Sequence, residues 1–176
     1  MRPRHALTLT IYGLLAVGPS LEADEPKAAA LNQLRLYIPT TMLEERLGSD
    51  VTPLANYIKA LEKRTAEILG KEKQPKAKGL LIAVGIKSKR KTRMWCEAVG
   101  GDVPAELLGK LEKELAKVEA IDLKKAPAAF AMEINLFGQK ADKFPEFPKV
   151  WFEGRDKNKP TTVVPPDDLF KTIWPD

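Results

Sequence analysis

Gly79, Gly85, Lys87 and Ser88 bring together the residue types of a phosphate-binding loop, and their spacing decides against one. Such a loop sets Gly directly before Lys and four residues between its glycines, so that a bent run of backbone N–H groups wraps the phosphate. Here five residues separate the glycines, Ile86 stands between Gly85 and Lys87, and the interior is the apolar run Leu80–Val84. That is the composition of a buried strand. Cys96 is the single cysteine, so neither an intramolecular disulfide nor a thiolate metal cluster is available. A reactive thiolate wants cationic or helix-terminal surroundings. Strand alternation instead puts Cys96 on the side of Met94 and Ala98, which predicts a buried structural thiol.

His5 is the single histidine, and it lies in an N-terminal segment that reads as a cleavable signal. Its loss would remove Ser-His-Asp, Cys-His and histidine-zinc chemistry together. Carboxylates remain for acid–base work: Glu97, Asp102, Glu133, Glu153, Asp167 and Asp168. Two carboxyl groups flanking a cleft suffice for glycosidase-type hydrolysis. Five of the six have a plainer role. Asp102, Asp167 and Asp168 stand where helices are expected to begin, a place the helix dipole favours for acids. Glu97 and Glu133 are expected on the solvent side of their strands. No Asp/Asn spacing matches a calcium loop. The sequence thus predicts no catalytic residue, no metal site and no cofactor.

Basic residues offer a binding surface instead. Between positions 71 and 93 nine cations face one acid, Glu72. They form two clusters separated by an expected strand, about 26 Å apart at roughly 3.3 Å per residue. The outer cluster, Lys87, Lys89, Arg90, Lys91 and Arg93, would crown a hairpin and meet an anionic surface or an acidic protein face. No aromatic residues interleave it, which argues against nucleic acid. Phe144, Phe147 and Trp151 sit in a proline-stiffened stretch, Phe144-Pro145-Glu146-Phe147-Pro148 and its continuation. The stretch either straps the sheet as core or exposes its rings to a partner.

The elements that must position these residues follow from periodicity. Leu31–Gly48 is ambiguous: Leu34, Leu36 and Ile38 alternate as in a strand, while Met42, Leu43 and Leu47 suit a short helix. A helix starts with Thr52 as N-cap and Pro53 at its first position, and Gly70 stops it. Leu54, Ile58, Leu61, Thr65, Ile68 and Leu69 mark its apolar face. Gly79–Lys87 is a strand, with Gly85 suggesting a bulge. Ser88–Lys91 is a turn and Thr92–Val99 a second strand. Pro104 opens a second helix bearing Leu107, Leu108, Leu111, Leu115 and Val118. Ala128–Phe137 is a third strand. Val150–Glu153 and Thr161–Val164 would form a closing hairpin, and Asp167–Trp174 a final short helix. Adjacent strand pairs predict an α+β fold, a single layer of mainly antiparallel sheet packed by two helices. From Gly79 to Phe137 the order strand–strand–helix–strand resembles the small carboxy-terminal domains of energy-transducing periplasmic proteins of the TonB type. The resemblance is one of order, and no functional residue carries over from it.

Arg2 and Arg4 precede an uncharged run of 12 residues, Ala6–Val17, followed by Gly18-Pro19-Ser20. That layout is a secretory signal. As a helix the run spans about 18 Å, short of the roughly 30 Å hydrocarbon core. The expected organisation is a signal peptide at 1–23 (cut after Ser20 or Ala23), a flexible leader at 24–30, and one domain at 31–176. The whole chain is mildly basic, with net charge +5. These readings favour an exported, periplasmic or extracellular, non-catalytic domain without a transmembrane segment, acting by contact with an envelope or secreted protein or an anionic surface. The alternative is a carboxylate-based hydrolase acting on an envelope polymer.

Overall fold

The computed structural model describes residues 27–48, 50–125, 127–152, 170–171 and 173–175. Four strands and three α-helices follow one another along the described chain: β1 (Ala29–Leu36), α1 (Thr40–Leu47), α2 (Thr52–Leu69), β2 (Gly79–Ile86), β3 (Thr92–Val99), α3 (Ala105–Leu115) and β4 (Ala128–Leu136). A 3-10 turn, Lys149–Phe152, follows. The fold is α+β, with one antiparallel sheet in the order β1-β4-β2-β3.

The ambiguous stretch after Leu31 holds both candidates in succession, a strand and then a helix broken apart at Pro39. Proline disfavours helical dihedrals in the residue before it, so Ile38 closes the extended segment and α1 begins beyond. Ala29 and Ala30, expected in the leader, are instead the first residues of β1, paired with Leu136 and Asn135. At the start of α2 the carboxylate of Asp50 accepts the Thr52 N–H at 2.9 Å, the work expected of Thr52. Pro53 lies in the first turn as expected.

Gly85 marks no bulge. Its register with both neighbours is unbroken, opposite Arg93 on β3 and Ala129 on β4. The irregularity lies in β1, between Leu31 and Gln33. There the Leu31 N–H turns to the Glu62 carboxylate of α2 at 2.8 Å. At the opposite edge of the sheet the Cys96 N–H meets Glu112 of α3, also at 2.8 Å. Each edge strand therefore has an outward N–H covered by a helix carboxylate, one way of blunting an edge against further pairing.

Period-two alternation gives the sheet two different faces. Leu80, Ile82, Val84 and Ile86 of β2, with Phe130, Met132, Ile134 and Leu136 of β4, meet Leu54, Ile58, Leu61 and Leu69 of α2 and Leu107, Leu111 and Leu115 of α3. The opposite face is not solvated. Leu81, Ala83, Trp95 and Ala131 lie beneath Phe144 and Trp151, with Tyr37, Phe147, Phe152, Ile173 and Trp174 packed around them. The expected strand Val150–Glu153 is replaced by the 3-10 turn over Lys149–Phe152, which seats Trp151 on the sheet rather than extending it. Its expected hairpin partner, Thr161–Val164, lies outside the described residues, as do the expected signal peptide and residues 24–26 of the expected leader. Of the final helix, Phe170, Lys171 and Ile173 are helical, and the Trp174 N–H closes a turn onto the Phe170 carbonyl at 3.0 Å.

Candidate functional site

Three segments meet at the β2–β3 end of the sheet: the hairpin turn, the end of α3 and the Phe170–Pro175 segment. The turn is closed by the Lys87 N–H donating to the Lys91 carbonyl at 2.8 Å. Lys89 and Arg90 have φ of +59° and +57°. That left-handed geometry suits the twist of a hairpin, but it costs a side-chain-bearing residue about 1–2 kcal/mol relative to ordinary dihedrals. The turn points Lys89, Arg90 and Lys91 into solvent. Arg90 pairs with the exposed Glu119 beyond α3, a surface pair of small energetic weight. Thr92 Oγ1 donates to the Ala116 carbonyl at 3.2 Å, tying the hairpin to the end of α3.

Lys87 and Arg93 behave differently from the other three cations. Lys87 Nζ donates to the Trp174 carbonyl at 2.7 Å and lies 4.9 Å from the centroid of a Trp174 ring. Arg93 donates to the Ile173 carbonyl at 3.2 Å while its guanidinium covers Trp95 at 5.3 Å. The five cations expected as one binding patch thus divide into three that project and two that grip the chain's own C-terminal segment.

The aromatic candidates are placed as a strap. Phe144 and Trp151 are 7% and 2% exposed and offer no free surface. The Phe144 ring lies over Gly79, where a Cβ would come within 2.9 Å of it. Trp151 meets Trp95 and Tyr37 edge-on, each at 5.2 Å. Phe147, half-buried, stacks on Tyr37 at 5.0 Å. The hydroxyl of Tyr37 and the indole nitrogen of Trp151 are buried without a hydrogen-bond partner among the described residues. Burial pushes the Tyr37 phenol up, well above its ordinary range.

Glu97 and Glu133 are not solvent-side residues as expected, because the strap covers their face. Both stand level with Leu81, one on each side of it. Two strand spacings put their backbones about 10 Å apart. Glu133, 3% exposed, is paired with Arg35, whose guanidinium also donates to the Pro145 carbonyl at 2.8 Å. Glu97 accepts the Lys149 N–H at 2.8 Å and pairs with its ammonium at 3.3 Å. Each carboxylate anchors one end of the strap. Asp102 is exposed and makes no side-chain cap to α3. Glu153, Asp167 and Asp168 lie outside the described residues. Among those described, no group of three or more His, Cys, Asp and Glu is placed to hold a metal ion.

Cys96 belongs to an edge strand and is partly exposed as a residue, but it packs against the helix-side core. Burial pushes its thiol far above the ordinary value, with the Glu112 carboxylate adding to the shift. Such a thiol stays protonated and is a poor nucleophile.

Gly85, read as a bulge, and Phe170 and Trp174, read as part of a final helix, were not among the binding residues expected from the sequence. Their signal was the pattern of β2 itself: Gly79, Ala83 and Gly85 share one side with a single large residue, Leu81, while the other side carries Leu80, Ile82, Val84 and Ile86. Small residues on one side of a buried strand announce large groups arriving from elsewhere.

The chain matches no family model, no curated protein and no solved structure. The likeness to the TonB-type domains therefore remains one of element order. Among the described residues no helix is long and apolar enough to cross a membrane.

Proposed function

We propose that the chain is an exported, non-catalytic contact domain whose working surface is the basic end of the β2–β3 hairpin, directed at the acidic face of an envelope or secreted protein. One observation carries the reading: Lys89, Arg90 and Lys91 project from a turn in which two side-chain-bearing residues take left-handed dihedrals. Glycine would fit both positions without steric cost. Retaining Lys and Arg there keeps two charges at the expense of local strain, which is understandable where the charges are used. The contact reading is favoured over a carboxylate hydrolase because Glu97 and Glu133 each already hold a cation and a piece of the strap.

The test uses the full chain and a Lys89→Glu/Arg90→Glu/Lys91→Glu variant as baits against the native envelope fraction. A partner held by the hairpin is retained by the wild type, lost by the variant, and released as salt rises, since exposed charges are screened over about 8 Å at physiological ionic strength. Retention by both baits, indifferent to salt, would remove the hairpin from the account. Intact-mass analysis of the exported protein tests the export half, which expects loss of about twenty residues, the usual signal-peptide length.

A further inference from the structure

The aromatic face holds a second binding feature, independent of the projecting cations. Phe170, Ile173 and Trp174 have the i, i+3, i+4 spacing of one side of a helical turn. Phe170 is buried, and Ile173 and Trp174 are half-buried on the sheet. What receives them looks built for the purpose. Gly85 forms the floor: a Cβ there would come within 2.7 Å of the Phe170 ring and 3.1 Å of the Trp95 ring. Trp95 forms a wall, edge-on to Trp174 at 6.4 Å. Lys87 and Arg93 form the rim, donating to the Trp174 and Ile173 carbonyls. Carbonyls at the C-terminal end of a helical turn carry partial negative charge, so two cations there complement the segment's backbone whatever its side chains. The site combines a ring seat for the first of three residues at helical spacing with a polar clamp on the backbone, as grooves do that recognise short amphipathic helices.

We infer that this Gly85-floored seat is a peptide-binding site, filled in the resting chain by its own Phe170–Trp174 turn. In trans it takes a partner segment of the same chemistry, an aromatic residue followed three and four positions later by an apolar and an aromatic one. The resident turn belongs to the same chain as its seat, so an outside segment must compete with an intramolecular occupant, and the resident turn sets the threshold at which a partner is admitted.

The test is binding of a fluorescein-labelled peptide with the sequence of residues 167–176 to full-length protein, followed by anisotropy. The Phe170→Ala/Trp174→Ala variant, its seat vacated, binds the peptide saturably and at least tenfold more tightly than wild type does. A peptide with alanine at both aromatic positions does not bind. Adding Gly85→Ala to the vacated variant weakens binding at least tenfold, and adding Lys87→Gln weakens it severalfold. If loss of Phe170 prevents folding, Phe170→Leu/Trp174→Ala, which keeps a smaller apolar group over Gly85, takes its place. No saturable binding to a variant that melts cooperatively would overturn the inference, as would binding indifferent to Gly85→Ala or to the peptide's aromatic residues. Peptide binding and the envelope capture by Lys89, Arg90 and Lys91 can each fail without the other.

Discussion

The two faces of this sheet are filled by opposite strategies. On the helix side the strands bring the bulk: Leu80, Ile82, Val84 and Ile86 meet leucines and isoleucines that regular helices present at fixed intervals. On the other side the strands bring bulk only at Leu81, Trp95 and Val99, and space around them. Gly79, Ala83, Gly85, Ala129 and Ala131 leave room, and aromatic rings from irregular segments fill it. A helix-covered face tolerates exchange of one aliphatic residue for another, because several neighbours share each contact. A face made of glycine-backed ring seats has single residues in single places. It is also the face where the strap and the C-terminal turn are tied down by ion pairs and side-chain hydrogen bonds, through Arg35, Glu97, Lys87 and Arg93.

The largest expected effect tests whether the aromatic face is a core at all. Trp151→Ala should cost about 3–5 kcal/mol, within the range of large buried aromatics, because the ring contacts both Trp95 and Tyr37. Trp151→Phe should cost much less, since it keeps an aromatic ring and removes an indole N–H that has no partner among the described residues. Urea denaturation of both variants gives the answer. A cost under about 1 kcal/mol for the alanine variant, far below the range for buried aromatics, would reduce the strap to a surface appendage and dissolve the contrast between the faces.

These two faces were unequally legible in the sequence. The helix side follows from periodicity, and the helix faces carrying Leu54, Leu61, Leu111 and Leu115 stand where the spacing put them. The aromatic side involves contacts between positions far apart in the chain, such as Phe170 on Gly85 and Phe144 on Gly79. No local pattern in either partner specifies the pairing. Glycine in a strand reads equally as a bulge or as a close approach, and for Gly85 the second holds. Glu97 and Glu133 were misplaced for the same reason, since an alternating polar residue implies solvent only where nothing covers that face. In the candidate patch, the strand–turn–strand pattern located the hairpin correctly, and charge marked its end as the candidate surface. Charge alone could not separate Lys87 and Arg93, which hold the C-terminal turn, from the three cations that project.

A pair of glycine substitutions sharpens the contrast at intermediate magnitude. In Gly79→Ala the new methyl would meet the Ile134 carbonyl and the Phe144 ring at 2.9 Å. Backbone on one side and a packed ring on the other leave little room to yield, so the expected loss is about 1–3 kcal/mol. Gly109, on the exposed side of α3, has nothing within 4 Å of a built Cβ. Gly109→Ala should instead stabilise by about 0.5–1 kcal/mol through helix propensity. Opposite signs for one chemical change, read from denaturation midpoints, are the expected outcome. Tolerance of alanine at position 79 would show that the ring seat is looser than its geometry.

Alkaline pH tests burial on both faces, with the helix-side thiol titrating before the phenols that the two faces share between them. Cys96 and Tyr57 pack on the helix side, Tyr37 on the aromatic side. Burial raises all three in the folded state. The folded protein then keeps protons that the unfolded chain releases, so stability is fully present below the unfolded values and declines as pH rises past them. The decline begins near the ordinary thiol value of 9.0 and steepens past the ordinary phenol value of 10.0. Each group contributes a slope of about 1.4 kcal/mol per pH unit. Cys96→Ala should abolish the first onset and leave the second. A melting temperature in the wild type that stays flat up to the phenol range would show the thiol to be solvated.

The smallest effect belongs to the hairpin end, which neither face supports. Lys89 and Arg90 hold left-handed dihedrals at φ of +59° and +57°, a cost that glycine removes while adding disorder to the unfolded chain. The two terms nearly offset, so Lys89→Gly and Arg90→Gly should each stabilise by about 0.5 kcal/mol. Reversal of Lys89, Arg90 and Lys91 to Glu should leave the melting temperature almost unmoved, because exposed charges contribute little to folding. The reversal breaks the Arg90–Glu119 ion pair, which is itself exposed. Charge at such a position acts chiefly on the rate of association, so without a partner the glycine and glutamate variants should differ only by that small gain in stability. The double glycine variant, more stable yet two charges poorer, should bind more slowly than wild type, and the triple glutamate variant more slowly still. If binding tracks stability instead of charge, the strain at the turn has no functional explanation and the projecting lysines are solvated loop residues. Association rates for the three proteins at two salt concentrations separate the two outcomes, because only a charge-driven contact loses its differences as salt rises.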